Sequence, residues 1–136
     1  MSELLVTALT QPCELVLEFG VSQELAERVV MGLAFFRSTT GHDVEAISGF
    51  RTCRQQEALG RRGRPAAPCD ISTHTSCPAT GMDFRLPGLY ETDLIKSLFG
   101  GAMIRAGLRW GGGSPEDPET NIPSDWPHVD LGRRNA

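Results

Sequence analysis

Val44-Glu45-Ala46-Ile47-Ser48-Gly49-Phe50-Arg51 is the stretch on which the fold class turns. Residues 44–48 alternate apolar and polar, as a half-buried strand does. Gly49-Phe50-Arg51 then breaks the run. The period is different immediately upstream. Leu25, Val29, Leu33 and Phe36 recur at helical spacing, and Ser22 is placed to cap a helix with Glu24 in its first turn. The spacing predicts a helix over 23–38, ended by Thr39-Thr40-Gly41. Downstream, Thr52 can cap a short helix through 53–59. Helix, strand and helix in this order, without a repeating strand–helix rhythm, predict an α+β fold with a small antiparallel sheet flanked by helices.

Residues 60–69 are rich in Gly and Pro and predict a loop. Met82-Asp83-Phe84-Arg85 is a strand candidate. Thr92 is placed to cap a helix over 93–106, whose middle is weakened by Gly100-Gly101. Leu108-Arg109-Trp110 and His128-Val129-Asp130-Leu131 are two more strands, separated by a long loop from Gly111 to Pro123. Residues 1–20, interrupted by Pro12, suggest short helical pieces or a docking arm, so residues 1–43 are expected to be an N-terminal helical part.

The chain has 136 residues, which fits a single domain over 1–136. A chain this long buries about two-thirds of its unfolded surface and needs no staples to hold a core. The balance of 13 basic and 17 acidic residues gives a net charge of −4. That sign argues against nucleic acid as a main partner, and Arg54, Arg61, Arg62 and Arg64 read as a solvated loop. No apolar run is long enough to span a membrane. The start, Met1-Ser2-Glu3-Leu4-Leu5, does not read as a secretory signal, so synthesis in the cytoplasm is expected. Cys13, Cys53, Cys69 and Cys77 form no C-x-x-C pair. Free thiols are the default without a signal, but Cys69 and Cys77 flank His74, which keeps a loop disulfide or metal ligation open. A redox-active thiol protein would need a low-pKa cysteine, and nothing in the sequence demands one.

Two of the three histidines, His74 and His128, sit in unusual local sequences. His74 lies in Ser72-Thr73-His74, in a stretch that closes on Gly81-Met82-Asp83. His128 lies in Asp125-Trp126-Pro127-His128-Val129-Asp130. Two imidazoles and one carboxylate suffice for a catalytic zinc site with an open fourth position. A further carboxylate three residues before the last ligand, Asp125, is placed to take a proton from water there. His42, in a Gly-His-Asp turn, is left outside the set. Asp130 reads first as a strand-surface carboxylate, with orientation of a ligand imidazole as the alternative.

Ser48-Gly49-Phe50-Arg51, Ser72-Thr73-His74 to Gly81-Met82-Asp83, Trp110-Gly111-Gly112 and Asp125-Trp126-Pro127-His128-Val129-Asp130 occur in that order. Together they resemble the zinc D-alanyl-D-alanine carboxypeptidase and L-alanyl-D-glutamate endopeptidase family, over about residues 44–131. The resemblance implies a hedgehog/DD-peptidase-like fold and a monomeric zinc metallopeptidase that cleaves peptidoglycan stem peptides. It implies one zinc per chain on His74, Asp83 and His128. Asp125 would be the catalytic carboxylate, and Arg51 would bind the substrate carbonyl or carboxylate and steady the oxyanion. Ser72 would lie near substrate, or else cap a turn. Trp126 and Trp110 would wall the cleft, with core packing the alternative for Trp110. The sequence departs from the family in one place: eight residues separate His74 from Asp83, where the family has six. A bulge containing Cys77-Pro78 can absorb the extra length, and it brings Cys77 near the site as a competing ligand. The missing signal and the absence of wall-binding repeats point to a phage or prophage lysin released through a separate pore, or to a cytoplasmic peptidase acting on wall fragments. The rival expectation is a noncatalytic, zinc-stabilised binding or virion structural module of the same fold.

Overall fold

The chain is described from a computed structural model that covers residues 4–7, 9–62, 68–86, 93–111 and 127–132. Its elements run β1 (Leu4–Val6), α1 (Pro12–Phe19), α2 (Gln23–Thr40), β2 (Val44–Ser48), α3 (Cys53–Arg61), β3 (Gly81–Arg85), α4 (Asp93–Arg105), β4 (Arg109–Trp110) and β5 (His128–Asp130). The five strands form one sheet in the order β1-β2-β3-β5-β4, and every pairing is antiparallel. The α+β class expected from the sequence is the one observed.

The helices begin and end where their local chemistry directs. The Ser22 hydroxyl accepts the Leu25 amide, and Gly41 closes α2 in the left-handed conformation. Thr52 and Gln55 form a reciprocal capping box on α3. Pro12 starts α1 rather than interrupting it, because a first-turn proline forfeits no intrahelical bond. Gly100 has a positive role in α4: a Cβ there would sit 2.6 Å from the Trp110 indole. The residue that weakens α4 by propensity is what lets Trp110 lie against the helix.

Apolar residues of β3 and β5, Met82, Phe84 and Val129, lie in one core with residues of α1, α2 and α4. Phe99 of α4 meets Phe36 and Phe84, each at 5.4 Å between ring centres, and Trp110 at 5.6 Å. Trp110 is therefore a core-edge residue, the packing alternative read from the sequence.

The N-terminal expectation needs correction. Leu4–Val6 is a strand paired with β2, Leu5 opposite Glu45, so residues 1–43 are not wholly helical. Three residues carry no readable period, and the conformation is fixed by the hydrogen-bonding edge that β2 offers. Thr92, the proposed cap of α4, and most of the loop 111–123 lie outside the described residues. Among the described residues no helix is long and apolar enough to cross a membrane.

Candidate metal centre

Asp83 and His128 face each other directly across the β3–β5 pair. Side chains alternate between the two faces of a strand, so with Met82 and Val129 in the core, Asp83, His128 and Asp130 share the other face. At Asp83 the β2–β3 register slips: Ala46 pairs with Phe84, but Ser48 pairs with Asp83. Such a bulge bends a strand and re-aims its side chains, here at the point where β2 leads into Arg51.

His74 arrives from the segment between α3 and β3. The Arg51 amide donates to the His74 carbonyl at 2.8 Å, and the Thr80 amide closes the following loop onto the Thr73 carbonyl at 2.9 Å. The Ala79 amide donates to the Gly20 carbonyl at 2.9 Å, and the Ser22 amide to the Ala79 carbonyl at 2.8 Å. The eight residues between His74 and Asp83 are thus held as a closed loop whose ends bring the two side chains together. Gly81 makes this possible, because a Cβ there would overlap the Thr73 hydroxyl and lie 3.0 Å from His128 Cε1.

One ligand atom from each of His74, Asp83 and His128 lies within 4.8 Å of the others, and all three residues are buried. Asp83 Oδ1 is 3.3 Å from His74 Nε2 and 2.8 Å from His128 Nδ1. Atoms about 2.1 Å from a common tetrahedral zinc would stand about 3.4 Å apart, so the set can close on one ion with small adjustments. The outward nitrogens are already occupied. His74 Nδ1 donates to the Gly49 carbonyl at 2.6 Å, and His128 Nε2 donates to Asp130 Oδ2 at 2.8 Å. Each ring therefore carries a proton on its far side; its other nitrogen faces Asp83, donating to that carboxylate in the metal-free centre and giving up that proton where an ion binds. This is the usual support for a metal-binding imidazole, and the donor set fits zinc.

The charges are arranged in the same sense. Burial alone would raise the Asp83 carboxyl. The charge of His74, hydrogen bonds from His128 and His74, and the charge of His128 outweigh it and hold the group far below the usual carboxylate range. Asp130 is likewise pushed up by burial, but hydrogen bonds from His128 and Arg109 and the charges of both bring it down to about 2. Both aspartates are anionic at neutral pH, as metal ligation and imidazole support require.

Arg51 reaches the same cluster with all three guanidinium nitrogens engaged. Nε donates to Ser48 Oγ at 3.0 Å, Nη1 to Gln56 Oε1 at 2.8 Å and Nη2 to Asp83 Oδ2 at 2.8 Å. Its side chain is 12% exposed. The arginine expected to face substrate thus also grips the outer oxygen of the central carboxylate. Ser72 is fully buried, and its hydroxyl accepts the His74 amide at 3.1 Å, which is the turn-capping alternative. Asp125 and Trp126 lie outside the described residues. His42 stands apart, on the wall of a cavity of about 350 Å³ between β1, α2 and β2.

No family model matches the chain, and no curated protein matches it. The resemblance therefore rests on the ordered motifs alone.

Two sequence expectations change at this site. Asp130 is not a strand-surface carboxylate: it is 1% exposed and holds His128. The available signal was its position two residues after a histidine on a strand, which places both on one face. The cysteines are not all free. Cys53 and Cys69 form a disulfide with Cα atoms 5.2 Å apart, tying the start of α3 to the segment that leads to His74. Cys13 and Cys77 are free and exposed, and Cys77 is not among the converging ligands. The pairing joins residues 16 apart in sequence, across a loop whose closure no local pattern reports.

Proposed function

We propose that this chain is a zinc-dependent peptidase that hydrolyses peptidoglycan stem peptides, as a carboxypeptidase or an endopeptidase. The observation that carries the reading is the buried convergence of His74, Asp83 and His128, with both imidazoles held in the ligating orientation. The ordered motifs supply the substrate class. His74 Nε2, an Asp83 oxygen and His128 Nδ1 would hold one zinc. When bound, zinc supplies Lewis acidity, polarising an amide carbonyl and making water acidic at neutral pH.

The chain's own residues do the remaining work. Asp125, three residues before His128, takes the proton from the attacking water and passes it to the leaving amine. Arg51 places positive charge beside Asp83 and, by a small displacement, offers hydrogen bonds to the oxygen that becomes negative; such donors are worth about 3 kcal/mol. Trp126 is assigned to substrate binding by the resemblance alone. The setting that fits is a lysin released onto the wall, or a peptidase acting on wall fragments in the cytoplasm.

A second reading has a specific observation behind it. Every guanidinium nitrogen of Arg51 already has a protein partner, as suits a noncatalytic zinc-stabilised module of a virion or binding protein. Zinc-loaded protein incubated with purified peptidoglycan, with the soluble products read by mass spectrometry, separates the two. New amine and carboxyl termini at one stem-peptide bond support the peptidase and identify the bond. Stoichiometric zinc with an uncut wall would leave the noncatalytic module.

A further inference from the structure

Asp130 sits on β5 directly opposite Arg109 of β4. Its carboxylate receives four hydrogen bonds. Arg109 Nε donates to Oδ1 at 2.7 Å and Nη2 to Oδ2 at 2.8 Å. The Gly132 amide donates to Oδ1 at 2.8 Å, and His128 Nε2 to Oδ2 at 2.8 Å. An ionised carboxylate offers about four lone-pair positions, and here all are taken. The group cannot rotate, and it cannot turn toward the metal ligands to become one itself.

We propose that Arg109 and Asp130 are a positioning pair that fixes the tautomer and ring plane of His128 and thereby sets the metal affinity of the centre. The proposal rests on the metal-site part of the reading above and not on peptide hydrolysis. The two histidine ligands differ in how they are secured. His74 is held by the Gly49 backbone carbonyl, an acceptor that side-chain substitution leaves in place. His128 depends on a side chain two residues away, which in turn is aimed by a fork from the neighbouring strand. A planar guanidinium does this better than an ammonium because its two parallel N–H bonds define the carboxylate plane.

Asp130→Asn is the sharpest perturbation. An amide has one acceptor oxygen, which cannot serve both the Arg109 fork and His128. Turning its NH2 toward His128 puts a donor against Nε2 and favours the proton on Nδ1, the nitrogen that should ligate. A mere staple between β4 and β5 would lose stability in this variant without a matching change at the metal.

The experiment measures zinc and cobalt dissociation constants by competition with a chromophoric chelator. It uses the full chain, Asp130→Asn, Arg109→Ala and Arg109→Lys, with visible spectra of the cobalt forms and melting curves of the metal-free proteins. Asp130→Asn is expected to weaken both metals by about 10–100-fold and to alter the cobalt spectrum. Arg109→Ala should give a smaller loss, and Arg109→Lys should recover part of it. Arg109→Lys, on an edge strand, keeps the test open if Asp130→Asn does not fold. Metal affinities within threefold of wild type in folded Asp130→Asn or Arg109→Ala, with lowered melting temperatures, would overturn the proposal and leave a strand staple. A wild-type chain that binds neither metal would overturn the metal reading itself. Uncut peptidoglycan with tight metal binding would count against the peptidase alone.

Discussion

Replacing Arg51 with alanine should expose how the centre is held together. The substitution removes three hydrogen bonds at once, to Ser48, Gln56 and Asp83. The consequential one is to Asp83, whose Oδ2 then loses its cation while the group remains buried. Removing one partner of a buried ion pair typically costs about 3–5 kcal/mol. Arg51 is 12% exposed, so water relieves some of the loss and about 3 kcal/mol is the expectation. For a domain of this size each kcal/mol lowers the melting temperature by roughly 3–4 °C, which gives a fall of about 10 °C in the metal-free protein. With zinc present the gap should narrow, because the ion itself balances the Asp83 charge. Circular-dichroism melts of wild type, Arg51→Ala and Arg51→Lys, each with and without zinc, read both effects. Wall-peptide hydrolysis on the same samples reads the third, a loss of at least ~100-fold in kcat/KM for alanine if Arg51 also steadies the oxyanion. Lysine should restore part of each, since it returns charge without the fork. A metal-free Arg51→Ala melting within about 4 °C of wild type would refute the ion-pair argument, because that is the behaviour of a surface pair worth about 1 kcal/mol or less.

Three further outcomes are expected. Asp125→Ala should retain zinc and its melting temperature but lose about 10²–10⁴-fold in turnover; full turnover on wall peptides would remove Asp125 from the reaction. Reduction with a non-chelating phosphine, or the Cys53→Ser/Cys69→Ser double variant, should cost about 3 kcal/mol, as expected for a loop closed by residues 16 apart; Cys77→Ser is the control, and equal effects of the two would contradict the pairing. Gly81→Ala should destabilise by about 1–3 kcal/mol through overpacking and weaken metal binding, because the new methyl presses on Thr73 and His128; a calorimetric titration giving wild-type affinity would show that the ring has room to move.

Features that depend on neighbours along the chain were legible in the amino-acid order. The 3.6-residue period from Leu25 to Phe36 and the caps Ser22 and Gly41 delimit α2. The alternation from Val44 to Ser48 gives β2, and Thr52 marks the start of α3. Local cues of this kind are energetic preferences of the backbone and its nearest side chains, so they are readable without knowing the fold. His74, Asp83 and His128 stood out as candidate ligands through the resemblance of the short motifs around them, and the fold brings the three together. Features that join distant segments came from long-range contacts instead. Leu4–Val6 became a strand because β2 had an edge to fill. Cys53 chose Cys69 because the fold brings their backbones together. Arg109 became the support of Asp130 because β4 and β5 place them opposite each other. Gly100 is tolerated inside α4 because the Trp110 indole occupies the space its side chain would need. Each of these is settled by a contact between residues far apart in sequence, whose free energy exceeds the weak local preference that a single segment can express.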